Sequence, residues 1–243
     1  FGQLTGIDIQ NETTGILPSS AWKMKRYKQK WHPGETPSIG IGQGYNTFTI
    51  LQLAQATAIL ANDGKVMRPH VVKAIHDPRD GRKTLTVPKE SYTIPLKPEH
   101  LALVKQGMVE VNRVGTGRIA FAGAEYVAAG KTGTAQVIGI KQNEKYDAKK
   151  IAERFRDHSL FMAFAPADDP KVALALIVEN GGFGAQAAAP IARKVFDYVL
   201  LGKLPKDTPQ PFPARPDVDE SDLRDVPEST EPEPMTPAQA ARF

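Results

Sequence analysis

The sequence predicts a fold of the α+β class, in which an antiparallel β-sheet is combined with α-helices. Two nearly continuous apolar segments, residues 159–165 and 172–179, are typical of strands inside a sheet. The connection between them is too short for a helical crossover, so we expect an antiparallel hairpin. Apolar residues at helical spacing predict helices over residues 49–62, after Pro98 and after Pro190.

The composition divides the chain into two regions. With 41% hydrophobic and 24% charged residues among 243, the chain as a whole has the composition of a globular protein. Residues 204–243 differ, because they hold nine of the 20 prolines and nine acidic residues against four basic ones. We therefore expect a folded, basic region over residues 1–203 and a disordered acidic tail over residues 204–243.

Two further features bound the possible functions. The chain contains no Cys, which excludes disulfides, thiolate catalysis and thiolate metal sites. No stretch approaches the roughly 18 consecutive apolar residues of a membrane helix, and the N-terminus has no signal-peptide pattern. The chain also begins as if cut from something longer, since it has neither an initiator Met nor a tail-like start.

The first fifty residues contain two segments that can be interpreted in more than one way. Residues 22–31 are basic and aromatic, which suits either a solvated surface loop or a nucleic-acid patch. We favour the loop, because no nucleic-acid-binding module surrounds the segment. Residues 38–45 are rich in Gly but lack the ending of a phosphate loop and the spacing of a dinucleotide-binding turn. We interpret them as a tight turn before the helix over residues 49–62, with Asn46 or Thr47 as its cap.

The remaining elements follow from local patterns. The helix over residues 49–62 carries many small residues on one face, so it is expected to pack centrally. Turn signals within residues 66–93 predict a small hairpin, and the Gly residues of 114–117 end the helix that Pro98 opens. The charged residues 141–157 predict an exposed connection with a short helix near 148–155. In the last helix we expect the following side chains to point inward: Ile191, Val195, Phe196 and Val199.

The strand predicted over residues 127–137 carries the clearest chemistry in the chain. An apolar run leads into Lys131-Thr132-Gly133-Thr134, and apolar residues resume afterwards. Lys131 supplies a positive charge, and the hydroxyls of Thr132 and Thr134 can donate hydrogen bonds. Gly133 has no side chain to keep a ligand from the backbone. The pattern therefore predicts recognition of an anion beside a strand.

Other candidate chemistry is weaker. The five His residues lack the spacing of a metal site, so we predict no metal, and His158 is interpreted as a structural residue. One Ser-x-x-Lys pattern occurs, at Ser20 and Lys23, and it matches an acyl-transfer nucleophile with its lysine. That chemistry needs both side chains on one face of a buried helix, and the polar run after Pro18 does not predict one.

Several motifs in register resemble class B penicillin-binding proteins, and among them the penicillin-binding protein 2 type of elongation transpeptidase. The resemblance covers residues 1–200 and leaves the tail outside it. It includes the Lys-Thr-Gly-Thr segment, the Gly-rich segment 38–44 with the helix after it, and the strand pair that follows His158. The type is indicated by three further segments: residues 15–19, 178–182 and 188–193.

The resemblance implies an antiparallel sheet with helices on both faces and an active site beside the Lys-Thr-Gly strand. It also implies two earlier motifs, Ser-x-x-Lys and Ser-x-Asn. No Ser-x-Asn occurs before Lys131, and in this family the segment at residues 15–19 follows both motifs. Ser20 is therefore interpreted as a chance match, and the chain as the C-terminal part of a transpeptidase domain.

The function that the resemblance implies is D,D-transpeptidation of peptidoglycan. A serine outside this chain attacks the D-alanyl-D-alanine bond of a stem peptide, and an amine of a neighbouring stem then takes the acyl group. Lys131 is expected to keep the site positive. Thr132, Gly133 and Thr134 are expected to bind the substrate, the two hydroxyls at its carboxylate, and the N–H of Thr134 to form half of the oxyanion hole.

The resemblance also implies the partners and the setting. The expected partners are stem peptides, β-lactams and membrane proteins of the elongation machinery, with no metal, no organic cofactor and no nucleic acid. The expected location is the periplasmic face of the bacterial inner membrane, with an anchor outside this chain. Two alternatives remain at this point: a non-catalytic binding module of the same machinery, and a nucleic-acid binder built on residues 22–31.

Overall fold

A computed structural model of the chain describes residues 1–139, 146–147 and 151–205, and the residues up to Leu204 form one compact unit. A short 3₁₀ helix covers Glu153–Phe155. The other elements, in chain order, are α1 (Ser20–Tyr27), α2 (Glu35–Gly40), α3 (Ile50–Ala61), β1 (Lys65–Met67), β2 (Ala74–His76), β3 (Lys83–Leu85), β4 (Glu90–Thr93), α4 (Pro98–Arg113), α5 (Arg118–Phe121), β5 (Ala129–Ala135), β6 (His158–Ala165), β7 (Val172–Val178) and α6 (Ala188–Leu201).

The main sheet has three strands in the order β5–β6–β7, and both pairings are antiparallel. Phe161 of β6 lies opposite Thr132 of β5 on one side and Leu176 of β7 on the other. The predicted hairpin of two apolar strands is confirmed by the β6–β7 pair. Helices and antiparallel strands together confirm the α+β class.

Helices cover both faces of this sheet. Helices α5 and α6 pack on one face, where the rings of Phe121 and Phe161 stack with centroids 5.7 Å apart and Phe196 completes the cluster. Helices α3 and α4 pack on the other face, where Met108 meets Phe164 and Ala129. Successive β6 residues alternate between the two cores, as side chains of a strand do. The sheet is therefore held from both sides.

The prediction for the inward face of α6 is wrong for three of its four residues. Phe196 is fully buried, but Ile191 and Val195 are about 40% exposed and Val199 is more exposed still. The buried face consists mainly of alanines: Ala188, Ala189 and Ala192. Small side chains let the helix lie close to β6 and β7, so the larger residues of the opposite face remain at the surface.

The N-cap of helix α3 lies three residues after Asn46 and two after Thr47, the two caps that were predicted. Its N-cap is Thr49, whose hydroxyl accepts a hydrogen bond from the N–H of Gln52. The Gln52 side chain accepts one from the N–H of Thr49 in return, which completes a capping box. The amide of Gln52 also donates to Gln3 O and Thr14 O, both at 2.8 Å. This buried amide ties the N-terminal segment to α3.

The region between α3 and α4 folds as two nested strand pairs. Strands β2 and β3 form an inner hairpin around the predicted turn, and β1 pairs with β4 outside it. The predicted small hairpin is thus confirmed and extended by a second pair. Most side chains of the inner pair are exposed, and in the described part of the chain its strands pack chiefly against each other.

The basic aromatic segment is not the surface loop that the sequence suggested. Ser19 caps α1, which covers most of the segment, and α2 lies where the Gly-rich turn was predicted to begin. The reason is that Lys23 on α1 is buried and pairs with Glu35 on α2, a long-range contact that local patterns do not reveal. The aromatic rings of Trp22, Tyr27 and Tyr45 pack on one another beside this pair.

Two predictions fall wholly or partly outside the described residues. The predicted short helix near 148–155 is described only in its second half, as a 3₁₀ turn. The predicted disordered tail begins within the described chain, but residues 206–243 lie outside it. Of the described helices, none combines the length and apolar character needed to cross a lipid bilayer.

Candidate active site

The Lys-Thr-Gly-Thr segment occupies most of β5, at one edge of the three-stranded sheet. Successive side chains of a strand point to opposite faces, so Thr132 and Thr134 share one face and Lys131 points to the other. The face with the two threonines borders a pocket of about 300 Å³. Its lining consists of Thr116, Thr132, Gly133, Thr134 and the four residues from Phe183 to Gln186.

The hydroxyl of Thr132 is paired with a second hydroxyl that the sequence did not point out. Thr116 Oγ1 lies 2.8 Å from Thr132 Oγ1, and either atom can be the donor. Thr116 belongs to the Gly-containing segment that ends α4, which was interpreted only as a helix break. The contact joins residues that are 16 positions apart, so the local sequence did not reveal it.

Lys131 does not lie in this pocket. Its side chain is exposed, and its ammonium group donates to the carbonyl of Thr132 at 2.8 Å. The cation and the two hydroxyls are therefore on opposite faces of the same strand. Lys131 is only one residue from Thr132 and three from Thr134 along the strand, so its positive charge lies beside the strand edge.

The backbone at this edge is oriented by its pairing with β6. A Cβ atom added to Gly184 would lie 2.3 Å from Leu160 O, 2.6 Å from Gly133 O and 2.9 Å from Gly133 N. Gly133 N, Gly133 O and Leu160 O therefore lie close together. This is the arrangement expected when Gly133 and Leu160, which face each other in the register, exchange two hydrogen bonds. The residues on either side, Thr132 and Thr134, then direct their N–H and C=O groups away from β6, toward the free edge.

The same distances explain why residue 184 is a glycine. At Gly184 the chain lies directly on the β5–β6 backbone, and any side chain at this position would collide with main-chain atoms that cannot move aside. Gly184 thereby lets this segment form the wall of the pocket.

Ser159 holds that wall in place. It is fully buried and lies opposite Thr134 in the strand register. Its hydroxyl donates to Phe183 O at 3.1 Å and accepts from the N–H of Ala188, the first residue of α6, at 3.0 Å. One side chain of β6 therefore connects the sheet, the pocket wall and a helix.

His158 has the structural role that the sequence suggested. Its Nδ1 accepts a hydrogen bond from the N–H of Asn180 at 2.9 Å, which stabilises the left-handed conformation of Asn180 after β7. Within residues 1–139, 146–147 and 151–205, no three His, Asp or Glu side chains are grouped so that they could hold a metal ion.

Ser20 and Lys23 lie on α1, so the expectation that this pair lacks a helix is wrong. The Lys23 side chain is buried, and its ammonium donates to Glu35 at 2.5 Å. Hydrogen bonds from Lys23 and from the N–H of His32 lower the pKa of Glu35. An ammonium held by a carboxylate does not accept a hydroxyl proton, so this geometry does not support Ser20 as a nucleophile.

A larger recess, of about 440 Å³, lies at the far end of the sheet, beside the β6–β7 turn. Two of its acidic residues are already paired with lysines, Asp63 with Lys105 and Asp169 with Lys171. Size alone would favour this recess as a site. Both of these carboxylates are largely exposed to solvent, and we therefore assign the candidate site to the smaller pocket at β5.

Comparison with known proteins identifies the family. Residues 1–197 match the model of the penicillin-binding protein transpeptidase domain. The chain is 47% identical over 216 residues to the peptidoglycan D,D-transpeptidase MrdA of Haemophilus influenzae, which is 85% of this chain and 32% of that protein. It is 45% identical over 217 residues to MrdA of Escherichia coli, which is 88% of this chain and 34% of that protein.

Solved structures agree with these relatives. A crystal structure of Pseudomonas aeruginosa PBP2 in complex with WCK 5153 superposes with a TM-score of 0.69 at 41% identity, over 87% of this chain and 44% of that one. The PBP2 chain of a complex with MreC from Helicobacter pylori gives 0.65 at 31% identity, over 83% and 34%.

These matches confirm the predicted family and its penicillin-binding protein 2 type. The chain spans about a third of the length of the curated relatives. The family match covers more than half of the chain and includes the whole of β5 with its pocket. The chain therefore belongs to the penicillin-binding protein transpeptidase domain family.

Proposed function

We propose that the chain is the C-terminal part of a peptidoglycan D,D-transpeptidase that cross-links stem peptides during cell elongation through a serine acyl-enzyme, and that the whole protein is a β-lactam target. The nucleophilic serine belongs to a part of the protein outside this chain. The proposal is supported by the family and by relatives named peptidoglycan D,D-transpeptidase. On this basis the isolated chain is inactive.

One observation carries the proposal: an edge strand presents two hydroxyls to a pocket and an outward N–H beside them. A carboxylate accepts hydrogen bonds, so the hydroxyls of Thr132 and Thr134, with Thr116 next to Thr132, suit the terminal carboxylate of a D-alanyl-D-alanine peptide. An N–H directed at the free edge suits the oxyanion that forms at the attacked carbonyl. Thr134 supplies both this N–H and one of the two hydroxyls.

The remaining residues have supporting roles in this proposal. Lys131 keeps the edge positive and attracts the carboxylate, although its ammonium contacts the strand carbonyl rather than the pocket. Gly133 keeps the backbone between the two threonines open to a peptide, which pairs with the strand edge as an added strand. The proposed chemistry uses no metal and no organic cofactor.

The proposed partners follow from the family and its neighbours. A PBP2 of Helicobacter pylori is known in complex with MreC, so we propose contacts with membrane proteins of the elongation machinery. We place the whole protein at the periplasmic face of the inner membrane, with its membrane anchor in a part of the protein outside this chain. Stem peptides and β-lactams are the proposed ligands, and nucleic acid is not.

Labelling with a fluorescent penicillin tests the proposal. The reagent is applied to this chain and to a form extended upstream until it includes Ser-x-x-Lys and Ser-x-Asn motifs. We expect a covalent label on the extended form and none on the chain alone. A label on Ser20 of the chain alone, or no label on either form, would contradict the proposal.

A pair of lysine variants tests the role of β5 in the extended form. Lys131→Ala is expected to slow labelling by at least about tenfold, because the charge beside the site is lost. Lys83→Ala removes another exposed strand lysine, from the inner hairpin, and is expected to label at the normal rate. Equal rates for the two variants would refute the role of Lys131.

A further inference from the structure

We infer that the side chain of Gln43 is a displaceable occupant of the peptide-binding edge of β5, and that it reduces the advantage of ligands whose backbone N–H can replace it. The inference rests on the proposed function for the class of ligand, an extended acyl-peptide. Its basis is the hydrogen bond from Gln43 Nε2 to the carbonyl of Thr134, at 3.0 Å.

The carbonyl of Thr134 is a group that an added strand needs. The Gly133–Leu160 pairing leaves both the N–H and the C=O of Thr134 directed at the free edge. A peptide that extends the sheet there must place an N–H donor on this carbonyl. In the structure the donor is already supplied from within the chain, by a residue 91 positions earlier.

The backbone around Gln43 is fixed by hydrogen bonds, and its side chain bonds to Thr134 through the terminal amide. Asn46 Nδ2 donates to Gln43 O at 3.1 Å and to Ile39 O at 3.0 Å, which closes the loop between α2 and α3. Tyr45 next to it donates to Glu35 at 3.3 Å. Displacement of Gln43 therefore requires only rotation of its side-chain torsions, with no refolding of the loop.

The exchange reduces the preference for peptide ligands. A peptide N–H that takes the Thr134 carbonyl replaces one amide donor by another, so it gains little at this point. A ligand without an N–H there leaves Gln43 in place and loses nothing. Removal of the Gln43 amide should therefore strengthen the binding of peptide ligands and leave the binding of ligands without this N–H unchanged.

Competition against fluorescent penicillin, on the extended form described above, tests this inference. The first competitor is an N-acyl-D-alanyl-D-alanine, and the second is its depsipeptide, in which an ester oxygen replaces the N–H of the first alanine. For Gln43→Met, which keeps the length of the side chain without its donor, we expect the peptide to compete about two- to tenfold more strongly. We expect no change for the depsipeptide.

Two further variants complete the experiment. Gln43→Asn keeps the amide but is one methylene too short to reach Thr134, so it should behave like Gln43→Met. Gln55→Met removes another glutamine that donates to a strand carbonyl, that of Met67, and should change neither competitor. Equal effects of Gln43→Met on the two competitors, no effect on either, or unchanged competition with Gln43→Asn would overturn the inference. An extended form that takes no label at all would instead overturn the proposed function, and this inference with it.

Discussion

Thr134 combines three of the proposed functions in one residue because of its place in the strand register. Its hydroxyl is directed at the pocket, while its N–H and C=O are directed at the free edge of β5. A shift of the register by one residue would turn all three groups away from their targets. The site therefore depends on the β5–β6 pairing as much as on the identity of the threonine.

Glu35 offers a test of the buried Lys23 contact through pH. The lowered pKa of Glu35 in the folded chain, which results from its hydrogen bonds to Lys23 and to His32, stabilises the fold at pH values above the usual carboxyl pKa of 4.5. This stabilisation is lost as the pH falls through the lower, folded pKa. We expect the free energy of unfolding of the native chain to decrease more steeply below about pH 5 than that of Glu35→Gln.

Urea unfolding at about pH 7 and about pH 3 measures this difference. At neutral pH Glu35→Gln should be clearly less stable than the native chain, because it leaves a buried ammonium without its carboxylate, and the two should converge in acid. Glu110→Gln removes a carboxylate from an exposed pair with Arg113 and should have little effect at either pH. Parallel pH profiles for the native chain and Glu35→Gln would contradict the prediction.

Asn112 is the second residue for which we predict a large effect. It is buried on α4, and its amide donates to the carbonyl of Ala128, the residue before β5, at 2.9 Å. Asn112→Ala should reduce the free energy of unfolding by about 1–3 kcal/mol, because the carbonyl of Ala128 loses its donor in a buried place. Urea denaturation measures the loss. Val104→Ala, at an exposed position of the same helix, should cost far less, and equal losses would contradict the role of Asn112.

At the scale of single elements, Ser159 joins parts that come from distant regions of the chain. Ser159→Ala deletes one hydroxyl that serves both Phe183 and Ala188 and should destabilise the fold by about 1–3 kcal/mol. The N–H of Ala188 should then exchange its hydrogen faster with solvent.

Hydrogen exchange measured by mass spectrometry distinguishes this role from general destabilisation. In Ser159→Ala, exchange should increase first over residues 183–188, while the β6–β7 ladder remains protected. Uniform acceleration over the whole sheet would show that Ser159 supports the core and not the pocket wall in particular.

The elements differ in how far local sequence predicted them. The β6–β7 hairpin, α3 and α4 were predicted because their apolar patterns are long and their ends carry turn or cap signals. The inward face of α6 was not, since alanines and larger apolar residues recur at the same helical spacing. Only the contact with the sheet decides which set is buried.

The site was predicted to a similar, partial extent. The strand of Lys131 to Thr134 could be found from its composition, because a cation, hydroxyls and a glycine are unusual inside an apolar strand. Thr116, Ser159 and Gln43 could not, because each contact joins residues that are between 16 and 91 positions apart. Such pairs are brought together by the tertiary fold, and their local sequence carries no trace of the partner.

At the scale of the whole molecule, β7 is an unpaired edge of apolar residues in the described structure, all of them partly exposed. An open edge of this kind pairs readily with another chain. The outward side of α6 adds exposed Val195, Tyr198 and Val199 nearby on the same molecule. We expect the isolated chain to self-associate, with an average mass that rises with concentration in sedimentation velocity.

Two proline variants on β7 separate edge pairing from unfolding. Ala175 faces Met162, whose backbone N–H and C=O are directed at β5, so the N–H of Ala175 points outward. Ala175→Pro should therefore reduce self-association while the fold is kept. Leu174 faces Ala163, so its N–H points to β6, and Leu174→Pro should lower the midpoint of thermal unfolding by more than about 10 °C. Self-association that is unchanged in a folded Ala175→Pro would assign it to another surface.

The inner hairpin of β2 and β3 has a practical consequence. Its turn closes through hydrogen bonds between Asp77 and Arg82 and between Gly81 and Asp77, and its strands lie largely in solvent, away from β5 and its pocket. Exposed turns of this kind accept inserted sequence with little loss of stability. A fluorophore or an affinity handle can therefore be grafted between Asp77 and Arg82, so that the protein can be immobilised or followed by light while the free edge of β5 stays unobstructed.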